Sequence, residues 1–154
     1  MAEHSTLTGS NLHEPKGIAS AAADTVYVAD GAGSGAFVDR YLLGESKITL
    51  TLADVSTAET IYLPIPYAGT VVKIVTVLEN AITTADATIT AKNSAGASMG
   101  TITITQSGSA AGDVDTLAPA SNNTVTDDDY ITVETDGASN TAARLFVTIV
   151  VRRS

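Results

Sequence analysis

The stretch Thr101-Ile102-Thr103-Ile104-Thr105 decides how the whole chain reads. Its period of two puts both isoleucines on one face and the threonines on the other, the pattern of a half-buried β-strand. The same residue types recur throughout. Threonine, valine and isoleucine number 23, 14 and 11, together 48 of 154 residues. β-Branched side chains lose χ1 freedom in helices and sit well on a pleated surface, so the composition points to an all-β fold.

Outward from that stretch, short strand patterns alternate with turn residues from about Ser46 to the end. The candidates are Lys47–Leu52, Glu59–Leu63, Gly69–Leu78, Ala87–Lys92, Gly100–Thr105, Val114–Leu117, Tyr130–Glu134 and Arg144–Arg152. Pro64 and Pro66, Asn93 to Gly96, and Ser107 to Gly112 supply the breaks. The last strand is apolar on both sides. Leu145, Val147, Ile149 and Val151 share one face, and Phe146, Thr148, Val150 and Arg152 share the other. Such a strand is either central in its sheet or packed against another subunit. In Gly69–Leu78 the alternation turns Val72, Ile74 and Leu78 inward and leaves Val75 and Val77 on the face of Lys73. Eight short strands in this span predict an antiparallel β-sandwich of jelly-roll type over residues 46–154. No strict internal repeat is present.

Residues 1–45 read differently. Gly9, Pro15, Gly17, the run Ala19 to Ala23 and the run Gly31-Ala32-Gly33-Ser34-Gly35 carry almost no alternation. Only Thr25-Val26-Tyr27-Val28-Ala29 resembles a strand, with Phe37-Val38 as a brief apolar touch. A segment with so little to bury does not offset its own ordering entropy, so the expectation is an extended N-terminal arm that a partner orders.

Composition excludes several classes. The chain has no cysteine, which removes disulfides and thiolate-held metals. A small Thr-rich domain without such staples gains from oligomerisation. The net charge of −9 repels phosphate backbones, so nucleic acid is not an expected partner. The first ten residues have neither a basic region nor an apolar run, and no segment reaches the ~20 apolar residues of a spanning helix. The expectation is a soluble chain made in a cytoplasm, with no membrane partner.

The motifs that hint at chemistry do not assemble into a site. Leu12-His13-Glu14-Pro15-Lys16-Gly17 begins like the HExxH zinc motif, but Gly17 stands where the second histidine belongs and Pro15 would break the helix. The chain's other histidine is His4, so a third imidazole ligand does not exist. A Ser–His–Asp triad would have to hold its geometry on the arm, a poor place for it. Gly31 to Gly35 is neither a nucleophile elbow nor a dinucleotide fingerprint, and reads as a flexible joint. Asp127-Asp128-Asp129 and Asp113-Val114-Asp115 lack the spacing of a calcium loop and read as solvated strand ends. Asn122-Asn123-Thr124 is a sequon without a secretory route. We assign no catalytic, cofactor-binding or metal residue, and expect no enzyme and no cofactor.

What remains is a docking peptide. Pro15 fixes its own φ and pushes Glu14 toward an extended conformation, so Leu12 to Gly17 offer alternating side chains from a stiffened backbone. This arm, with Thr25 to Gly35, resembles the N-terminal region of tailed-bacteriophage head decoration, or cement, proteins. Ala81 to Ile89 and Val133 to Ser139 are similar to their Thr-rich body. The resemblance implies a homotrimer with a β-sandwich body that binds the outside of the phage head. It also implies an arm (Leu12, His13, Glu14, Pro15, Lys16, Gly17, Val26, Tyr27 and Val28) gripping neighbouring subunits of the major capsid protein. On that reading Val75, Val77, Phe146 and Val150, the second face of the two-sided strands, form the oligomer interface. The alternative is a head or tail fibre component whose sandwich binds a host-surface glycan; five Tyr, two Phe and no Trp count mildly against it.

Overall fold

The computed structural model describes residues 22, 25–32, 35–39 and 44–153. Contacts divide the chain into two units, residues 1–43 and 44–154.

In the second unit the β-rich composition forms antiparallel strands: β3 (Glu45–Leu52), β4 (Glu59–Ile65), β5 (Gly69–Leu78), β6 (Ala87–Asn93), β7 (Ser98–Ile104), β8 (Val114–Leu117), β9 (Thr124–Val125), β10 (Asp129–Thr135) and β11 (Leu145–Arg153). The first unit contributes β1 (Thr25–Ala29) and β2 (Gly35–Asp39). No helix occurs among the described residues. One sheet runs β4-β10-β6-β7 and the other β3-β11-β5-β8, with β9 also on β5. Setting β9 aside and numbering the rest one to eight from β3, the sheets read 2-7-4-5 and 1-8-3-6. That is the strand order of a jelly roll, two interleaved Greek keys. The fold is therefore the expected antiparallel β-sandwich of jelly-roll type.

One apolar cluster fills the space between the sheets. Leu52, Ile74, Leu78, Leu145, Val147 and Ile149 come from the five-stranded sheet, and Ile65, Ile89, Ile104, Ile131 and Val133 from the four-stranded one. In Thr101–Ile104 the isoleucines are buried and the threonines exposed, as the period of two requires. β7 carries a register irregularity opposite Ala91/Lys92, with Gly100 at φ 134°. A Cβ there would meet the Leu117 side chain at 2.9 Å, so glycine lets β7 approach β8 closely. Buried polar groups are satisfied: among the described residues no buried side-chain nitrogen or oxygen lacks a partner.

Three details differ from the sequence reading. β4 continues through Pro64 to Ile65 because it is an edge strand, where a missing N–H costs no ladder bond. The two-residue β9 carries no alternation signal; it adds to the start of β5, Gly69 facing Val125. Val72 does not point inward. β11 pairs Val150 with Lys73 and Val151 with Val71, leaving Val72 as the extra residue of a β-bulge. The bulge turns Val72 to the outer surface beside Lys73 and buries Val71 instead.

In the first unit β1 and β2 form an antiparallel hairpin, Thr25 opposite Asp39 and Ala29 opposite Gly35. Of the glycine-rich run, Gly31 and Ala32 follow β1 and Gly35 opens β2. Gly31 adopts φ 76° and the Asp30 carboxylate accepts the Ala32 N–H at 2.8 Å, an Asx turn. The sequence showed β2 only as Phe37-Val38, too short a signal to mark a strand.

Candidate functional site

The two-faced strand β11 lies at the centre of its sheet, between β3 and β5. Its inner residues Leu145, Val147 and Ile149 fill the core. Its outer residues belong to rows that cross the sheet. Thr51, Phe146, Val77 and Val114 stand side by side in one row, and Thr49, Thr148, Val75 and Thr116 in the next. The Thr49 and Thr148 hydroxyls bond each other at 3.0 Å. A third row sets Val150 between Lys47 and Lys73, and Glu45 joins Arg152 at 2.9 Å beyond it.

This outer face collects the residues expected at an oligomer interface. Phe146 is 37% exposed and Val75 and Val77 are half-buried, whereas Val150 is only 7% exposed under its own neighbours. The sequence reading missed Val114, which is 58% exposed at the β8 edge of the same row. At the other end of the face a hollow of about 510 Å³ opens over Val72, Val75 and Val150, rimmed by Lys47, Lys73 and Arg152. Cations are scarce in this chain, and among the described residues most are engaged. Lys92 pairs with Glu134 at 2.6 Å, Arg144 with Glu79 at 3.0 Å, and Arg153 stacks 4.2 Å over the Tyr67 ring. Among the described residues, Lys47 and Lys73 are the cations that no carboxylate or ring engages.

The opposite outer face, on the four-stranded sheet, is built from Thr60, Thr88, Thr90, Thr101, Thr103 and Thr132. Tyr62 projects from it, 65% exposed, with its ring 5.6 Å from that of Tyr130. The Tyr130 hydroxyl donates to the Ser94 carbonyl at 3.3 Å.

The acidic turns serve the fold. Hydrogen bonds from the Ser94 side chain and the Tyr130 N–H hold the Asp129 carboxyl below its ordinary value. The Asp54 carboxylate accepts the Ser56 N–H and hydroxyl, each at 2.8 Å, and the Ala143 N–H at 3.3 Å, which lowers its pKa. Among the described residues no cluster of His, Asp and Glu is placed to hold a metal ion, and no helix is long and apolar enough to cross a membrane.

The expected docking peptide, Leu12, His13, Glu14, Pro15, Lys16 and Gly17, lies outside the described residues. Val26, Tyr27 and Val28 lie on β1. Val26, 41% exposed, and Val28 share a side of the hairpin with Val38 and Ala36, while the Tyr27 and Phe37 rings meet edge to face at 5.2 Å on the other side.

No family model matches the chain, and no curated protein matches it. Among solved structures, a protein from work on Bacillus endospore appendages, described as a novel family of disulfide-linked pili, is similar over 72% of this chain and 88% of that one. The identity is 19% and the TM-score 0.36, a likeness that carries no argument.

Proposed function

We propose that this chain is a structural virion protein that binds the outside of an assembled tailed-phage head and stabilises contacts between major capsid protein subunits. The observation that carries this reading is the β1–β2 hairpin, a unit apart from the sandwich that exposes Val26 and Val28. A two-stranded hairpin is marginal alone in water, so apolar side chains on it favour a surface that covers them. The resemblance of residues 12–17 and 25–35 to decoration-protein arms names that surface as the capsid. The sandwich then serves as an oligomerisation body, a homotrimer meeting through Val75, Val77 and Phe146 on its outer face. Val150, in the row beyond them, is the fourth residue of that interface. Several arms on one body bind by multivalency, so no single contact has to be strong.

Deletion of residues 1–43 tests the reading. The sandwich keeps its own core and should stay folded, while co-sedimentation with heads lacking the protein is lost. Full retention of head binding by the deletion variant overturns the arm assignment.

A second reading, glycan binding, is favoured by the exposed Tyr62 beside Tyr130 on a threonine face. Aromatic rings offer a flat apolar surface to sugar C–H groups, and hydroxyls offer partners to sugar oxygens. A saturable glycan-array ligand lost in Tyr62→Ala would place this reading first.

A further inference from the structure

Without cysteine, no disulfide can clasp the sheets of this protein. The four-stranded sheet nevertheless ends in a strand that gains from a clasp. β4 has β10 as its one neighbour in that sheet, and Pro64 removes an N–H from the strand. An edge strand held on one side opens locally before the strands inside it.

Two phenols sit across the β4–β10 pairing. Tyr62 faces Thr132 and Tyr130 faces Pro64, so the tyrosines are diagonal neighbours on one face, within reach of each other. Their ring centroids lie 5.6 Å apart with the planes tilted by 57°. Both rings meet solvent, Tyr62 at 65% exposure and Tyr130 at 39%. The Tyr130 hydroxyl donates to the Ser94 carbonyl, which anchors that ring. Other described tyrosines have different company: Tyr27 meets Phe37, a ring without a hydroxyl, and Tyr67 lies under the Arg153 guanidinium. Among the described residues, Tyr62 and Tyr130 are thus the phenols whose rings pair.

We propose that Tyr62 and Tyr130 form an oxidative modification site, joined as dityrosine by a peroxidase-class oxidant with hydrogen peroxide, and that the product clasps the β4 edge. Each phenol gives up one electron and its hydroxyl proton. The two phenoxyl radicals couple at carbons ortho to oxygen, forming one C–C bond. The hydrogens on those carbons then leave, the oxygens regain protons, and both hydroxyls are restored. The net loss of two hydrogens is matched by reduction of one peroxide to two waters. Coupling requires the rings to meet before either radical is quenched, and the cross-strand diagonal holds them together in advance. The new bond closes a loop that contains β5, β6, β7, β8 and β9, so it restricts the unfolded chain strongly. This inference goes beyond both readings above and rests on neither.

Treatment of the full-length protein with a haem peroxidase and hydrogen peroxide tests the site. Dityrosine fluorescence should appear, and the single chain should lose the mass of two hydrogens. Trypsin should then release residues 48–73 covalently joined to residues 93–144. The yield per chain should not depend on protein concentration, because both rings belong to one copy. Tyr62→Phe and Tyr130→Phe keep the ring packing and should each abolish the joined peptides. Tyr67→Phe removes the other phenol of the 48–73 peptide and should leave them in place. The linked chain should melt about 10 °C above the untreated one. Absence of the joined peptides, or their survival in Tyr62→Phe, overturns the site. Coupling only between copies, with a yield that rises with concentration, overturns it too. A linked chain that melts no higher than the untreated one overturns the clasp.

Discussion

The two outer faces of the sandwich are made from nearly isosteric residues put to opposite use. On the four-stranded sheet the outward positions are mostly threonine, with Lys92 neutralised by Glu134. On the five-stranded sheet Thr49, Thr51, Thr116 and Thr148 are interspersed with Val72, Val75, Val77, Val114 and Phe146, and no carboxylate among the described residues pairs with Lys47 or Lys73. Valine and threonine satisfy the pleated backbone about equally well, so strand formation does not choose between them. Water does. An outward threonine keeps its hydroxyl hydrated, whereas an outward valine leaves apolar area exposed and gains only from being covered. The valines and phenylalanine of the five-stranded face would gain from a cover that the threonine face does not need, a contrast that substitutions on each face can break.

The largest effect belongs to the shared interior. Leu145→Ala removes a fully buried side chain beside Leu52 and Leu78 and should cost about 3 kcal/mol in urea unfolding, with the cavity adding to the lost transfer energy. A backbone site comes next. Gly137 has φ 68°, and a Cβ there would run into the Ala58 N–H, so Gly137→Ala should cost about 2 kcal/mol or more. Both changes act on the monomer and should leave the contrast between the faces untouched. Val77→Thr/Phe146→Thr acts the other way. Both side chains are outward and strand propensity is kept, so monomer stability should shift by no more than about 0.5 kcal/mol while self-association weakens. If the double variant instead melts far below the wild type and still associates, the apolar face is part of the monomer's core and the comparison fails. The reciprocal change, Thr90→Val/Thr101→Val, gives the opposite face an apolar pair and should promote new, less specific association.

The fold was largely legible because it depends on period and composition. All eight strands of the jelly roll were marked as short runs between turn residues, with clear alternation in Thr101–Thr105 and in β11, whose two apolar sides signalled either a central strand or a subunit contact. What escaped depends on pairing. Val72 was misplaced because a bulge is decided by the partner strand, and no local pattern announces the extra residue. Lys47 and Lys73 stand far apart in sequence and share a row only because β3 and β5 both pair with β11, on either side of Val150. Val114 sits in a four-residue strand flanked by aspartates, so its polarity hid its place in the apolar row. The β1–β2 hairpin escaped for a related reason: five-residue strands without a core face give too short a run of alternation.

The smallest expected effect concerns acid, and it separates the faces from the loops that hold them. Burial pushes the Asp136 carboxyl up, but hydrogen bonds from the Thr88 N–H at 3.0 Å and the Ala138 N–H at 3.1 Å bring it below its ordinary 3.8. Asp54 and Asp129 are lowered too, by the bonds already described. A carboxyl whose folded pKa lies below its unfolded value binds its proton more tightly when unfolded. Its contribution is therefore complete above the unfolded pKa, near 4, and is lost as pH falls through the folded value. The melting temperature should stay level from pH 8 to pH 5 and decline below about pH 4. Asp136→Asn should melt lower than the wild type at pH 7, and the two curves should converge in acid once Asp136 itself is protonated. These clamps sit at strand ends, joining Asp136 to β6 and Asp54 to the segment before β11, and neither outer face contains them. Acid should thus loosen both sheets without distinguishing them, and a mild fall in stability at pH 4 with self-association unchanged would assign the association to the faces alone.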